Sequence, residues 1–158
     1  GLDLAALLSF KRETGSVARF PGARSLAREE LLALACDILV PAARPDTIRA
    51  DNAGAVRARL ILQGANIPVT AEAEAALHAR GVLCVPDFIA NAGGVICAAI
   101  EYHGGSQAAA LEAIAERIRR NTTEVLQRSR SRKILPRMAA TELAHERVHA
   151  AQAYRRRS

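Results

Sequence analysis

The sequence predicts an α/β fold: a parallel sheet covered by helices, then a helical carboxyl-terminal third. Three observations carry that expectation. Short apolar runs at 37–40, 59–62 and 82–85 alternate with helical patterns, and strand–helix–strand–helix–strand order builds a parallel sheet. Apart from Asp37 and Arg59, which open the first two, the runs are continuously apolar, as strands covered on both faces are. After Gly105 only helical periodicity remains.

Each element has a local reason. Asp3 can cap a first helix whose apolar positions Leu4, Leu7, Leu8 and Phe10 precede a stop at Gly15. After a loop marked by Pro21-Gly22, Ser25 can cap a second helix, LAREELLALAC, with Glu29 and Glu30 near its positive end. The first strand, 37–40, ends at Pro41, and a turn through Ala42, Ala43, Arg44 and Pro45 follows. From Asp46 a short helical stretch is expected through Ile48 towards Val56. The second strand runs into Gln63-Gly64-Ala65-Asn66, and Thr70 caps a third helix, AEAEAALHAR, which Gly81 ends. The third strand stops at Pro86-Asp87. After a loop, Gly93-Gly94 opens an apolar helix placed at 91–103. A long helix follows from Ser106 to about Arg130, with Ala108, Leu111, Ala115, Ile118, Thr122 and Val125 on one stripe. Pro136 opens the last helix, with Met138, Leu143 and Val148 as candidate buried positions and a frayed arginine tail at 155–157.

Right-handed crossovers bring the carboxyl ends of all three strands to one edge, where open α/β sheets bind ligands. The loops there hold Pro41-Ala42-Ala43, Gly64-Ala65-Asn66 and the segment 87–94. They offer small residues for close approach and two Asn side chains, each able to donate and accept. Such amides suit a neutral amide ligand.

Composition narrows the partners. Half the residues are hydrophobic, yet 3% are aromatic and Trp is absent, so Ala, Leu, Ile and Val must build the core and base stacking has no support. No apolar run approaches the ~20 residues that span a bilayer, and the start lacks the basic-then-apolar order of a signal peptide. A cytoplasmic protein with no membrane partner is expected. The opening GLDLAALLSFKRETG has no methionine and begins mid-pattern, which predicts a piece of something larger. Cys36, Cys84 and Cys97 all sit in apolar segments and are expected as buried, reduced thiols. Residues 117–157 carry twelve Lys or Arg and three Glu, a net +9, whereas 1–116 carry ten basic and thirteen acidic groups, a net −3. Scattered through helical patterns, those arginines predict a solvated or subunit-facing surface and no nucleic-acid partner.

Two motifs suggest other chemistry. His145-Glu146-Arg147-Val148-His149 spells H-E-x-x-H, which on a helix places two histidines one turn apart for zinc. It lies beside the basic tail with no recognisable third ligand, so a solvated helix face is expected and no metal is assigned. Cys97 as a nucleophile would need a base, and His103, six residues on, lies on another part of the helix surface.

The three loops, in this order and spacing, resemble the amino-acid dehydrogenases acting on glutamate, leucine, phenylalanine or valine. The matching pieces are CDILVPAA at 36–43, QGANIPVT at 63–70 and VPDFIANAGGV at 85–95, with a looser likeness from Gly1 to about Val148. The resemblance implies a two-domain enzyme with a substrate domain and a Rossmann-type, doubly wound domain binding NAD or NADP. This chain resembles the carboxyl-terminal part of the second domain, with a βαβ core at 1–105 and terminal helices at 106–158. By resemblance Ala42 and Ala43 line the dinucleotide cleft, Asn66 lies near the nicotinamide ribose and Asn91 near the nicotinamide end, and Val95 and Ala98 face the substrate side chain. The substrate would be an amino acid or its 2-oxo acid. The substrate domain would be the missing partner of the same chain, and the full-length protein a homo-oligomer. By periodicity alone, Val95 and Ala98 are ordinary helix core.

The departures from the family pattern matter. No G-x-G-x-x-G turn, no acidic ribose-binding residue and no catalytic Lys is found, the only lysines being Lys11 and Lys133. The chain alone is therefore expected to be inactive, with no catalytic residue of its own. Arg44-Pro45 after the Ala pair is also unusual. Ala98 stands where glutamate-type members place a hydroxyl. One donor fewer to a buried carboxylate costs about 1.5–3 kcal/mol, which tilts the substrate towards an apolar amino acid. From another class, the alternatives are a non-catalytic regulatory or assembly module that keeps the fold and, more distantly, a zinc hydrolase.

Overall fold

The computed structural model describes residues 1–27 and 29–155. Arg28 of the expected second helix and Arg156 and Arg157 of the tail lie outside the described residues. The chain divides into two compact units, Gly1–Ala33 and Leu34–Ser158.

The first unit holds α1 (Leu4–Thr14), capped by the Asp3 carboxylate, which accepts from the Ala6 N–H at 3.1 Å. The left-handed Gly15, at φ 75°, ends it. Phe10 and Phe20 meet edge to face with centroids 5.6 Å apart. The expected second helix is reduced to a 3-10 turn, Glu29–Ala33, none of which is buried. Helix propensity in that segment has no packed face to support it, and short helices without one are marginal.

The second unit carries the sheet. Strands β1 (Ile38–Leu39), β2 (Leu60–Leu62) and β3 (Leu83–Val85) lie in the order β1-β2-β3, all parallel. Helix α2 (Ala71–Ala79) makes the crossover from β2 to β3. Its cap is the Thr70 hydroxyl, which accepts from the Ala73 N–H at 3.3 Å. Ile61 is fully buried on one side of β2. Its neighbours Leu60 and Leu62 point to the other side. There they pack on a cluster of Val85, Ile89, Val125, Ala139, Ala140 and Leu143. β1 departs from the expected double cover: Ile38 and Val40 are 53% and 52% exposed, as befits an edge strand. The expected helical stretch after Asp46 is instead extended. Ile48 bridges Val69 in parallel, Ile48 N–H donates to the Pro68 carbonyl and Thr70 N–H to the Ile48 carbonyl, leaving only a 3-10 turn, Ala53–Ala55.

Beyond β3 the segment expected as a loop is one helical turn, α3 (Asp87–Ala90), and the next helix, α4 (Gly93–Tyr102), begins two residues later than placed from sequence. Asn91 thus sits at the junction as the C-cap of α3. Helix α5 (Gln107–Arg132) is capped by Ser106 and α6 (Pro136–Arg155) folds back on it. The apolar stripe of α5 has the expected period but a shifted phase. Val125 is buried as expected, with Ala110 and Ser129, and Ile118 and Thr122 are half-buried, but Ala108, Leu111 and Ala115 are exposed. One helix serves three neighbours, α3, α4 and α6. On α6, Leu143 is buried as expected. Met138 and Val148 are about half exposed, and the close contact is made by the small residues Ala139 and Ala140. Cys84 is buried as expected, Cys97 partly so, and Cys36 is exposed because it lies in the exposed stretch at 34–37 that leads into the edge strand.

Candidate functional site

The three strand ends meet as the sequence predicted. Ala65 N–H donates to the Pro41 carbonyl at 3.0 Å, stitching the β2 loop to the β1 loop. Gly64 is required there: a Cβ on it would lie 2.9 Å from the Ala42 Cβ, closer than real Cβ contacts come. The third loop joins through Asn91, whose Nδ2 donates to the Ala65 carbonyl at 3.2 Å and to Asn66 Oδ1 at 2.9 Å. The two asparagines singled out from the sequence therefore touch. Among the hydrogen bonds of the described residues, the Asn66 N–H donors and the Asn91 carbonyl oxygen have no protein partner. Together they present both donor and acceptor, the set that complements a carboxamide.

A cavity of about 710 Å³ opens at this pair. Asn66, Asp87, Asn91 and Val95 line it from the sheet side, and Arg117, Arg120, Asn121 and Arg147 from the terminal helices. Of the other predicted residues, Ala42 packs against Gly64, and Ala43 and Ala98 are exposed; none of these three lines the cavity. Val95 is 77% exposed and Ala98 is exposed too, so neither is the helix core residue that periodicity suggested; Ile96 takes that place.

Beneath the loops lies a polar network that sequence reasoning missed. Arg137, in the first turn of α6, donates from Nε to Glu74 Oε2 at 2.7 Å and from Nη2 to Glu74 Oε1 and Gln63 Oε1, each at 3.0 Å. Gln63 Nε2 also donates to Glu74. Gln63 is fully buried and Glu74 nearly so. Arg137 Nη2 further lies 3.0 Å from Asp87 Oδ1, an ion pair lacking hydrogen-bond angles, and the guanidinium sits 5.6 Å over the Phe88 ring. Burial would raise the Asp87 carboxyl, but the Ile67 N–H and the Arg137 charge outweigh it and hold it below the ordinary Asp range. One signal was available. A basic residue in a first helical turn opposes the helix dipole, so Arg137 there needs another partner.

The rival motifs have other employment. Glu146 accepts from Arg128 Nη1 at 2.7 Å and Nη2 at 2.8 Å, which lowers its pKa. Among the described residues no group of three His, Cys, Asp or Glu could hold a metal ion. Burial pushes the Cys84 thiol up to about 12, and Cys97 is raised by desolvation and then by Glu101, 3.6 Å from its sulfur. Neither thiol is activated.

The family model for Glutamate/Leucine/Phenylalanine/Valine dehydrogenase matches residues 1–156. The chain belongs to this family. Its similarity to the NADP-specific glutamate dehydrogenase of Saccharolobus shibatae is 43% identity over 102 residues, 65% of this chain and 24% of that protein. The glutamate dehydrogenase of Thermotoga maritima is 45% identical over 102 residues, with the same coverage. The chain thus spans about a quarter of the length of these dehydrogenases. Among solved structures, the hetero-hexameric glutamate dehydrogenase of Thermus thermophilus, in its Leu-bound form, superposes with a TM-score of 0.82 at 33% identity, over 98% of this chain and 38% of that one. L-tryptophan dehydrogenase from Nostoc punctiforme shares the fold, with a TM-score of 0.76 at 24% identity, over 87% of this chain and 41% of that one.

Proposed function

We propose that this dehydrogenase-family chain is the carboxyl-terminal part of the dinucleotide-binding domain of an NAD(P)-dependent L-amino-acid dehydrogenase. The parent reaction is oxidative deamination to a 2-oxo acid and ammonia. The observation that carries this is the contacting pair Asn66 and Asn91, with free amide groups at the carboxyl edge of a parallel sheet and a cavity in front of them.

The cofactor, when bound, supplies the hydride acceptor. Asn91 would hold its amide end by hydrogen bonds, with Asn66 beside the adjoining ribose, and Ala42 and Ala43 would give the small-residue wall on which a dinucleotide can lie close to backbone. Val95, on the cavity wall, excludes water and touches the substrate side chain, with Ala98 one turn further along α4. Orientation is the chain's whole contribution, since groups held in place save most of the entropy of encounter. Proton transfer falls to the substrate domain, across a cleft that closes on binding. The parent protein is an oligomer in this reading.

The test is amino-acid-dependent NAD(P)H formation by the full-length parent over a panel of L-amino acids. Turnover of apolar substrates ahead of glutamate is expected, and Ala98→Ser should raise the glutamate-to-leucine ratio by about tenfold or more, the effect of one added hydrogen bond to a charged group. Activity on glutamate alone would remove the Ala98 argument and keep the family reaction. No turnover of any amino acid by a folded parent would make the chain a non-catalytic module on an inherited scaffold.

A further inference from the structure

We propose that Asp87, seated by Arg137, is a positioning residue that holds Ile67 in a left-handed backbone conformation and thereby aims Asn66 into the cavity. The inference rests on the cofactor-loop reading of Asn66 and names what keeps that loop in place.

Ile67 is the anomaly. It is β-branched, 58% exposed, and has φ 47°. A branched side chain in that region is a true outlier, kept only when its surroundings over-determine it. Here they do. Ile67 N–H donates to Asp87 Oδ2 at 2.9 Å, and the Ile67 carbonyl accepts from Asp46 N–H at 2.9 Å. Reversing the backbone at this point turns the preceding residue, Asn66, outward to meet Asn91 at the cavity wall. Asp87 is itself placed. It is 7% exposed, it opens α3, and its other oxygen faces Arg137 from α6. Arg137 answers to Glu74 and Gln63 as well, so the first turn of the terminal helix, the start of α2 and the ends of β2 and β3 close on one guanidinium. The seat of α6 is thereby tied to the direction of Asn66.

A hydrogen bond to an ionised carboxylate is stronger than one to a neutral oxygen, so removing the charge at Asp87 should let Ile67 relax to an ordinary conformation. Glycine visits the left-handed region freely, so Ile67→Gly should remove the need for that carboxylate. Were Asp87 only a stabiliser of the fold, its loss would lower the thermal midpoint and leave the Asn66 and Asn91 side-chain signals of the folded chain in place. Those local signals therefore separate positioning from stability.

The experiment is amide NMR of the 158-residue chain, first alone and then titrated with reduced nicotinamide mononucleotide. In the unliganded chain, Asp87→Asn is expected to shift the Ile67 backbone amide and broaden the Asn66 and Asn91 side-chain amides. Asp87→Asn with Ile67→Gly is expected to restore the asparagine signals. Affinity for the mononucleotide should fall about tenfold and return in the double variant. Arg137→Lys keeps a cation beside Glu74 but loses the fork. It should disturb the same signals in the same direction, and it decides the question if Asp87→Asn does not fold. Unchanged Asn66 signals in a folded single variant, or no rescue by glycine, would overturn the proposal. A wild-type chain that ignores the mononucleotide would sink the cofactor reading, while the unliganded spectra would still decide the role of Asp87.

Discussion

Asp87 and Arg137 show how one residue pair sets behaviour at acid pH. The folded-state pKa of Asp87 lies below its unfolded value of about 3.9. A depressed pKa contributes stability that is present above the unfolded value and lost as pH falls through the folded one. With Arg137→Gln, burial is no longer offset by the guanidinium, so the Asp87 titration should move up in pH and acid unfolding should begin earlier. Carbon-detected titration of the Asp87 carboxyl checks this; an unchanged midpoint would mean that Ile67 N–H alone holds it. At this scale the sequence was only partly informative. Asn66 and Asn91 stood out because an amide after a glycine-rich strand end has few structural duties. Asp87 and Glu74 did not, because a carboxylate after Pro or in a first helical turn already has a local explanation. Their partner Arg137 is 63 positions from Glu74, beyond any local pattern.

At the scale of elements, the same contrast holds. The helices with side-chain caps, α1, α2 and α5, were legible because Asp3, Thr70 and Ser106 bind the first turn directly. The segment at 25–36 has good helix formers but, among its described residues, none that is buried, and propensity without packing left a 3-10 turn. The phase of α5 was hidden because three neighbours, α3, α4 and α6, share one helix. One element junction carries a prediction. Arg80, just after α2, donates to the Ala53 carbonyl at 2.6 Å and the Val56 carbonyl at 2.7 Å, both part-buried. Arg80→Ala leaves both carbonyls without that donor and should cost about 3 kcal/mol, two bonds from a charged group. Urea unfolding measures it, and a loss below ~0.5 kcal/mol, the range of ordinary surface changes, would mean water replaces the guanidinium.

For the whole molecule, the uneven charge of the sequence becomes a packing device. Three arginines of the basic third pair across the terminal helices, Arg128 with Glu146, Arg132 with Glu142 and Arg147 with Glu124. Arg137 turns inward and pairs with Glu74 and Asp87 at the sheet ends. No helix of the described residues is long and apolar enough to cross a membrane. All three site loops were legible as a ligand-binding edge from strand–helix order, but the contact between Asn66 and Asn91 was not, because topology brings loops together without fixing which side chains meet. The bordering arginines of α5 and α6 were not, because helical periodicity says which residues share a face but not what that face meets. The central claim is that this edge receives the amide end of a nicotinamide. The most direct measurement is the titration of the 158-residue chain with reduced nicotinamide mononucleotide, read at every amide, beside the Asn91→Ala variant. Saturable shifts confined to residues 64–67 and 91–96 are expected, weakened about tenfold in the variant, with its thermal midpoint nearly unchanged. Shifts absent at saturation, or spread over the arginine faces with Asn66 and Asn91 silent, would contradict it.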